Sequence, residues 1–227
     1  MRTALLVLSA CLLAGAVPAA LANGGGMSMP SPSMPRVATP EQQARDLYND
    51  GVSYVKKADK VDLEAAKAGD AGKKDKAARD AQGRYAAALG KFQQSVQLDP
   101  QRYEAWNYVG YTSRKLGHYD DALAAYDKAL ALKPGYPDAL EYRGEAYLAV
   151  NRLDDAKQAY LDLFAGNRAL ADKLLTAMKG WVAAQRAAPA GGGAAGADEL
   201  DKWIQERSQI AAQTAALTRA GTATAWR

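Results

Sequence analysis

A pattern that returns after 34 residues constrains this chain more than any other feature. Gly110 comes back as Gly144, Asp120-Asp121-Ala122 as Asp154-Asp155-Ala156, and Tyr126 as Tyr160. One step backwards, Tyr126 falls on Phe92, Ala122 on Ala88, Leu132 on Leu98 and Pro134 on Pro100, so a further copy precedes the clearest one. A fixed period of this size is the mark of a stacked repeat, in which each unit covers the apolar face of its neighbour.

The spacing within a copy suits two short antiparallel helices. Trp106, Val109, Gly110 and Ser113 share one face, Gly117 ends that helix, and Ala122, Tyr126, Ala129 and Leu130 share a face of the next. Gly110 and Ala122 let the two backbones approach, Tyr126 fills the space beside them, and the ring of Pro134 stops the second helix.

Trp106, Val109-Gly110, Ser113, Ala122, Tyr126 and Pro134 together resemble the tetratricopeptide repeat. Ser113 departs from the family pattern. The next copy restores an aromatic there with Tyr147, and otherwise reads Leu140, Arg143-Gly144, Ala156 and Tyr160, with Leu163 and Arg168 where a small residue and a proline are usual. The expected fold is therefore all-α, a helix-turn-helix solenoid of about three repeats. Repeat one would span 41–100, repeat two 101–134, repeat three 135–168 and a capping helix 169–187.

Repeat one is too long. Leu47, Gly51 and Tyr54 stand to one another as Trp106, Gly110 and Ser113 do, yet Gly51 precedes Gly110 by 59 residues, 25 more than one period. The surplus, placed at about 58–82, is rich in Ala, Lys and Asp with Gly69 and Gly72 near its middle. It reads either as a two-helix arm, each helix extended by about 12 residues or roughly 18 Å, or as a solvated loop. Val61, Ala65 and Ala68 would face Ala78, Ala81 and Tyr85 across a thin seam, so that deleting 58–82 would cost little stability.

The first residues carry Arg2, an apolar run from Ala4 to Val17, and the small-x-small exit Ala20-x-Ala22, the pattern of an export leader cleaved after Ala22. An uncleaved anchor competes with that reading, as does a lipoprotein signal at Cys11, which leaves too short an apolar run before the cysteine. The expected address is periplasmic or secreted, in a bacterium, with no membrane span after cleavage. Cys11 is the only cysteine, so the mature chain would hold no disulfide. Residues 23–40 read as a disordered tether, 188–197 as a Gly/Ala linker, 198–219 as an amphipathic helix with Leu200, Trp203, Ile204, Ile210 and Leu217, and 220–227 as a tail. That helix could dock on the repeats, pair with a second copy or bind a partner.

The chain has 29 basic and 25 acidic residues; losing Arg2 with the leader leaves a balance of +3, which does not suit a nucleic-acid binder. Its single histidine, His118, falls in a turn, and no cysteine nucleophile or metal-ligand spacing is present, so no catalytic site, cofactor or metal is expected. Gly69-Asp-Ala-Gly72-Lys73-Lys74 lacks the spacing and the hydroxyl of a phosphate loop.

The resemblance implies a concave groove lined by the first helices of successive repeats and binding an extended peptide or a partner helix. By repeat phase that groove would carry Tyr48, Asn49, Val52, Glu104, Asn107, Tyr108, Tyr111, Arg114, Asp138, Glu141, Tyr142 and Glu145, with the Tyr108 and Tyr142 rings side by side. The tyrosines could equally serve to pack one repeat on the next. Family members that clamp a C-terminal carboxylate use Lys, Asn and Arg where this chain has Tyr48, Val52, Tyr108, Asp138 and Tyr142. With Glu104, Asp138, Glu141 and Glu145 on the later repeats, a protein or peptide ligand of basic character is the expected partner. The function so read is a non-enzymatic protein-interaction adaptor; the alternative is a self-associating structural component of the cell envelope that uses the arm or the last helix.

Overall fold

The computed structural model describes residues 38–188 and 194–224, and the leader and tether expectations for residues 1–37 lie outside them. Among the described residues there are eight helices and no strand: α1 (Pro40–Lys67), α2 (Ala71–Leu98), α3 (Tyr103–Lys115), α4 (Tyr119–Leu132), α5 (Pro137–Ala149), α6 (Leu153–Gly166), α7 (Arg168–Ala187) and α8 (Ala194–Thr224). Consecutive helices pair as hairpins, and α3, α5 and α7 touch in succession, as do α2 with α3 and α4 with α5.

Local sequence accounts for the helix ends. Thr39 opens α1 with a reciprocal cap: Gln42 N–H donates to Thr39 Oγ1 at 3.3 Å, and Thr39 N–H donates to Gln42 Oε1 at 2.9 Å. Asp70 caps α2 by accepting from Lys73 N–H at 2.8 Å. The turn between α3 and α4 places Gly117 at φ 81°, and one period later Asn151 holds φ 58° between α5 and α6. The same step of the repeat takes the left-handed conformation twice, filled by the two residue types that tolerate it best.

Glycine sets the closeness of the hairpins. A Cβ on Gly110 would lie 2.5 Å from the Tyr126 ring, and one on Gly51 would lie 2.7 Å from the Phe92 ring. The first helix of repeat one thus meets its own aromatic despite the surplus residues between them. At Gly144 the nearest neighbour is Leu174 of α7, at 2.5 Å. In repeat three the matching aromatic, Tyr160, packs edge-on against Trp203 of α8, with centroids 5.2 Å apart.

The surplus in repeat one is carried by the helices themselves: α1 and α2 each run 28 residues, against 13 for α3 and 14 for α4. They turn through Ala68–Asp70, so Gly72 belongs to the first turn of α2 and not to the reversal. The expected thin seam needs correction. Ala58, Ala81 and Tyr85 form a buried cluster against Val61 and against Tyr111 and Leu116 of repeat two, while Ala78 is exposed. The base of the arm is therefore part of the interface between repeats, and deletion of 58–82 would remove buried core.

Corrections also apply at the C-terminal end. The expected linker extended to residue 197, yet α8 is already helical from Ala194 and continues to Thr224, consistent with alanine's high helix propensity. Ala197, Leu200 and Ile204 are buried in the main core with α6 and α7, and Arg186 bridges Asp198 and Asp201 at 2.8 and 3.0 Å. The expected apolar stripe divides there: Leu200, Trp203 and Ile204 dock in cis, whereas Ile210 is exposed and Leu217 is 73% exposed.

Candidate interaction face

The first helices α1, α3 and α5 bring one row of aromatic side chains together. Tyr48 of α1 meets Tyr108 of α3 edge-on, with centroids 5.7 Å apart; Tyr108 stacks on Phe92 at 4.9 Å and 14°. Tyr111 lies 6.3 Å from Tyr108 and 4.9 Å from Tyr142 of α5. The expected Tyr108–Tyr142 pair is thus spaced by Tyr111, which the repeat phase had placed one turn along the same helix. All four tyrosines are half-buried, so each ring packs between repeats and leaves an edge to solvent. Of the two roles left open by the sequence, the packing of one repeat on the next is the one these contacts fill.

Burial holds these hydroxyls protonated. Desolvation, with Tyr108 adding to it, pushes Tyr48 up to about 12, and desolvation also raises Tyr108, Tyr111 and Tyr142. They remain neutral donors at physiological pH.

Two anchors frame the row. At the arm, the hydroxyls of Tyr85 and Tyr111 both donate to Asp59 Oδ1, at 2.7 Å each. Tyr85 also reaches Asp62 Oδ2 at 3.2 Å, and Lys115 pairs with Asp62. At the other end, Arg114 pairs with Glu145 at 2.6 Å, its guanidinium 5.4 Å from the Tyr111 ring centre and 5.6 Å from that of Tyr142. Neither Asp59 nor Asp62 was singled out by sequence reasoning. The signal available was a pair of carboxylates one turn apart inside the surplus stretch.

The remaining expected groove residues divide by burial. Asn49 is exposed, and Val52, Glu104 and Asp138 are half-buried, as are the paired Arg114 and Glu145. Asn107 and Glu141 are corrections to the expected contact surface. They occupy the same repeat position on α3 and α5 and are buried, Glu141 being 0% exposed. Lys173 of α7 donates to Glu141 Oε2 at 2.9 Å. Burial, with Glu145 adding to it, pushes the Glu141 carboxyl up to about 7 against the opposing effect of Lys173. Glu141 thus ties α5 to α7 through Lys173, whereas the buried Asn107 Oδ1 has no hydrogen-bond partner among the described residues.

A recess of about 770 Å³ between α2 and α4, floored by Trp106 and Val109, lies apart from the row. Among the described residues no group of three or more His, Cys, Asp or Glu is placed to hold a metal ion, and no helix is long and apolar enough to cross a membrane.

Stacked helical hairpins tied by a repeating Gly–aromatic contact define a helical-repeat protein. A tetratricopeptide-repeat family profile matches residues 77–137 and 110–172, so that stretch of the chain carries tetratricopeptide repeats. Such repeats are typically non-catalytic protein-interaction modules. No curated protein matches the chain. Among solved structures, it is similar to the first TPR of Spaghetti (RPAP3) bound to the HSP90 peptide SRMEEVD. That similarity is 20% in identity, covers 63% of this chain and 95% of that one, and has a TM-score of 0.46.

Proposed function

We propose that this protein is a non-enzymatic adaptor that holds an extended peptide or a partner helix against the tyrosine row of α1, α3 and α5. The observation that carries the reading is the continuity of that row: Tyr48, Tyr108, Tyr111 and Tyr142 span three successive first helices with one edge of each ring in solvent. Rigid tyrosines supply flat, partly apolar contact at small entropic cost, with a hydroxyl at the rim. Glu104 and Asp138 border the row without a salt bridge among the described residues, which favours a ligand carrying basic side chains there. The self-association reading is less well supported, because Leu200, Trp203 and Ile204 of α8 are spent on docking in cis.

The test is selection of displayed random peptides against the whole chain, followed by affinity measurement on Tyr108→Ala/Tyr142→Ala. The double substitution is expected to weaken enriched peptides by about 2 kcal/mol or more, near thirtyfold. Enriched peptides that bind the double variant unchanged would refute the assignment. The reading also includes an extracytoplasmic address, supported by the leader-like composition of residues 1–22. Sequencing of exported protein should return Asn23 first; Met1 would refute that part.

A further inference from the structure

We infer that the arm carries a second docking surface, separate from the tyrosine row's acidic end, that takes an acidic amphipathic helix of a partner protein. The surface runs along α1 beyond the length of an ordinary repeat. Val52, Lys56, Lys60, Leu63 and Lys67 follow one another at steps of three and four residues, the spacing that places side chains in one stripe of a helix. Leu63 is 56% exposed, a large apolar side chain with lysines on either side of it. The near end of the stripe opens into a hollow of about 500 Å³ lined by Tyr48, Val52, Ser53, Lys56 and Lys60 among others.

The charges on α1 are sorted by direction. Two of its six acidic residues, Asp59 and Asp62, face α2 and α3, where Tyr85, Tyr111 and Lys115 engage them. Lys56, Lys60 and Lys67 are left on the outer stripe. Among the described residues the one carboxylate within 4.0 Å of any of these three lysines is Glu64, 4.0 Å from Lys60, with both side chains largely in water. An exposed pair of that kind is worth little and yields readily to a better partner. The stripe is therefore a surface of net positive charge with apolar residues set in it, three lysines against the one exposed Glu64.

A helix is the occupant that matches this geometry. Val52 and Leu63 lie eleven residues apart, about 16 Å along the axis, a distance that a partner helix spans with apolar residues repeating every three or four positions. Carboxylates flanking those residues would meet Lys56, Lys60 and Lys67. A flat anionic membrane is a poorer match, since Tyr48 and Val52 are half-buried and Leu63 is the one large apolar side chain of the stripe that is exposed.

The test uses a displayed library of amphipathic helical peptides selected against the whole chain, with Lys56→Glu/Lys60→Glu and Tyr108→Ala/Tyr142→Ala as parallel baits. A set of enriched clones should bind the lysine variant at least tenfold more weakly, bind the tyrosine variant as well as the parent chain, carry net negative charge, and weaken as salt is raised. Circular dichroism of the lysine variant checks that α1 still folds. The proposal is overturned if no enriched clone depends on the lysines, if the lysine-dependent clones are not acidic, or if phosphatidylglycerol vesicles bind the chain more tightly than any clone. Because the tyrosine variant reports separately, failure here leaves the tyrosine-row assignment to stand or fall on its own.

Discussion

Replacing Asp59 by Ala tests whether the arm is built into the repeat stack. Asp59 Oδ1 accepts two hydroxyl hydrogen bonds at 2.7 Å, one from Tyr85 within the arm and one from Tyr111 of repeat two. Hydrogen bonds to a charged acceptor contribute roughly 1.5–3 kcal/mol each, and a buried donor left unpaired adds its own cost. Two effects reduce that sum. Tyr85 keeps a second acceptor in Asp62, 3.2 Å away, and Asp59 is half-buried, so water reaches the vacated site. The expected loss is about 3 kcal/mol, or roughly 6–12 °C of thermal midpoint for a domain of this size. Urea and thermal unfolding followed by far-UV circular dichroism would measure it, with the exposed Glu64→Ala as a control that should stay within about 0.5 kcal/mol. Asp59→Ala and Tyr111→Phe should not add, because once the acceptor is gone the hydroxyl is a liability and its removal restores part of the loss. An Asp59→Ala loss below about 0.5 kcal/mol, or strict additivity with Tyr111→Phe, would refute the structural coupling of the arm to repeat two.

Two further outcomes rest on the geometry of single sites. Gly110→Ala should cost about 2 kcal/mol by driving a methyl into the Tyr126 ring, whereas Gly90→Ala, with nothing within 4 Å, should stabilise α2 by about 0.5–1 kcal/mol; urea midpoints of both variants against the parent check the contrast. Glu141 is raised in the folded chain to about 7, so its contribution to stability is fully present below its unfolded value near 4.5 and is lost as pH rises through 7. Glu141→Gln should therefore flatten the fall in thermal midpoint between about pH 4.5 and 7, and an unchanged slope would count against the buried carboxyl as its source.

What could be read from the sequence was governed by periodicity. The count of surplus residues between Gly51 and Gly110 located the arm, and the Gly51–Phe92 contact shows why that count works: the close approach is kept however long the hairpin grows. Repeat phase also brought Tyr48, Tyr108, Tyr111 and Tyr142 to one side of the stack. It could not tell Asn107 and Glu141 from surface residues, because their burial depends on how far one first helix is rotated against the next. Nor could it find Asp59, whose partners lie 26 and 52 residues away and belong to a contact the ordinary repeat lacks. The start of α8 was missed for a different reason: alanine and glycine together read as linker, while packing against α6 and α7 holds Gly196 and Ala197 in the helix.

The unbroken course of α1 has a mechanical consequence. Tyr48, Asp59 and Lys67 lie on one stiff rod, with Asp59 about 16 Å from the first and about 12 Å from the last. The Asp59 hydrogen bond with Tyr111 fixes that rod to repeat two, as the Gly51–Phe92 contact fixes it to α2. Tyr48 sits against Tyr108 at the head of the aromatic row. The arm and the row are thus set by one rigid element, so the helix that aims the arm also places Tyr48.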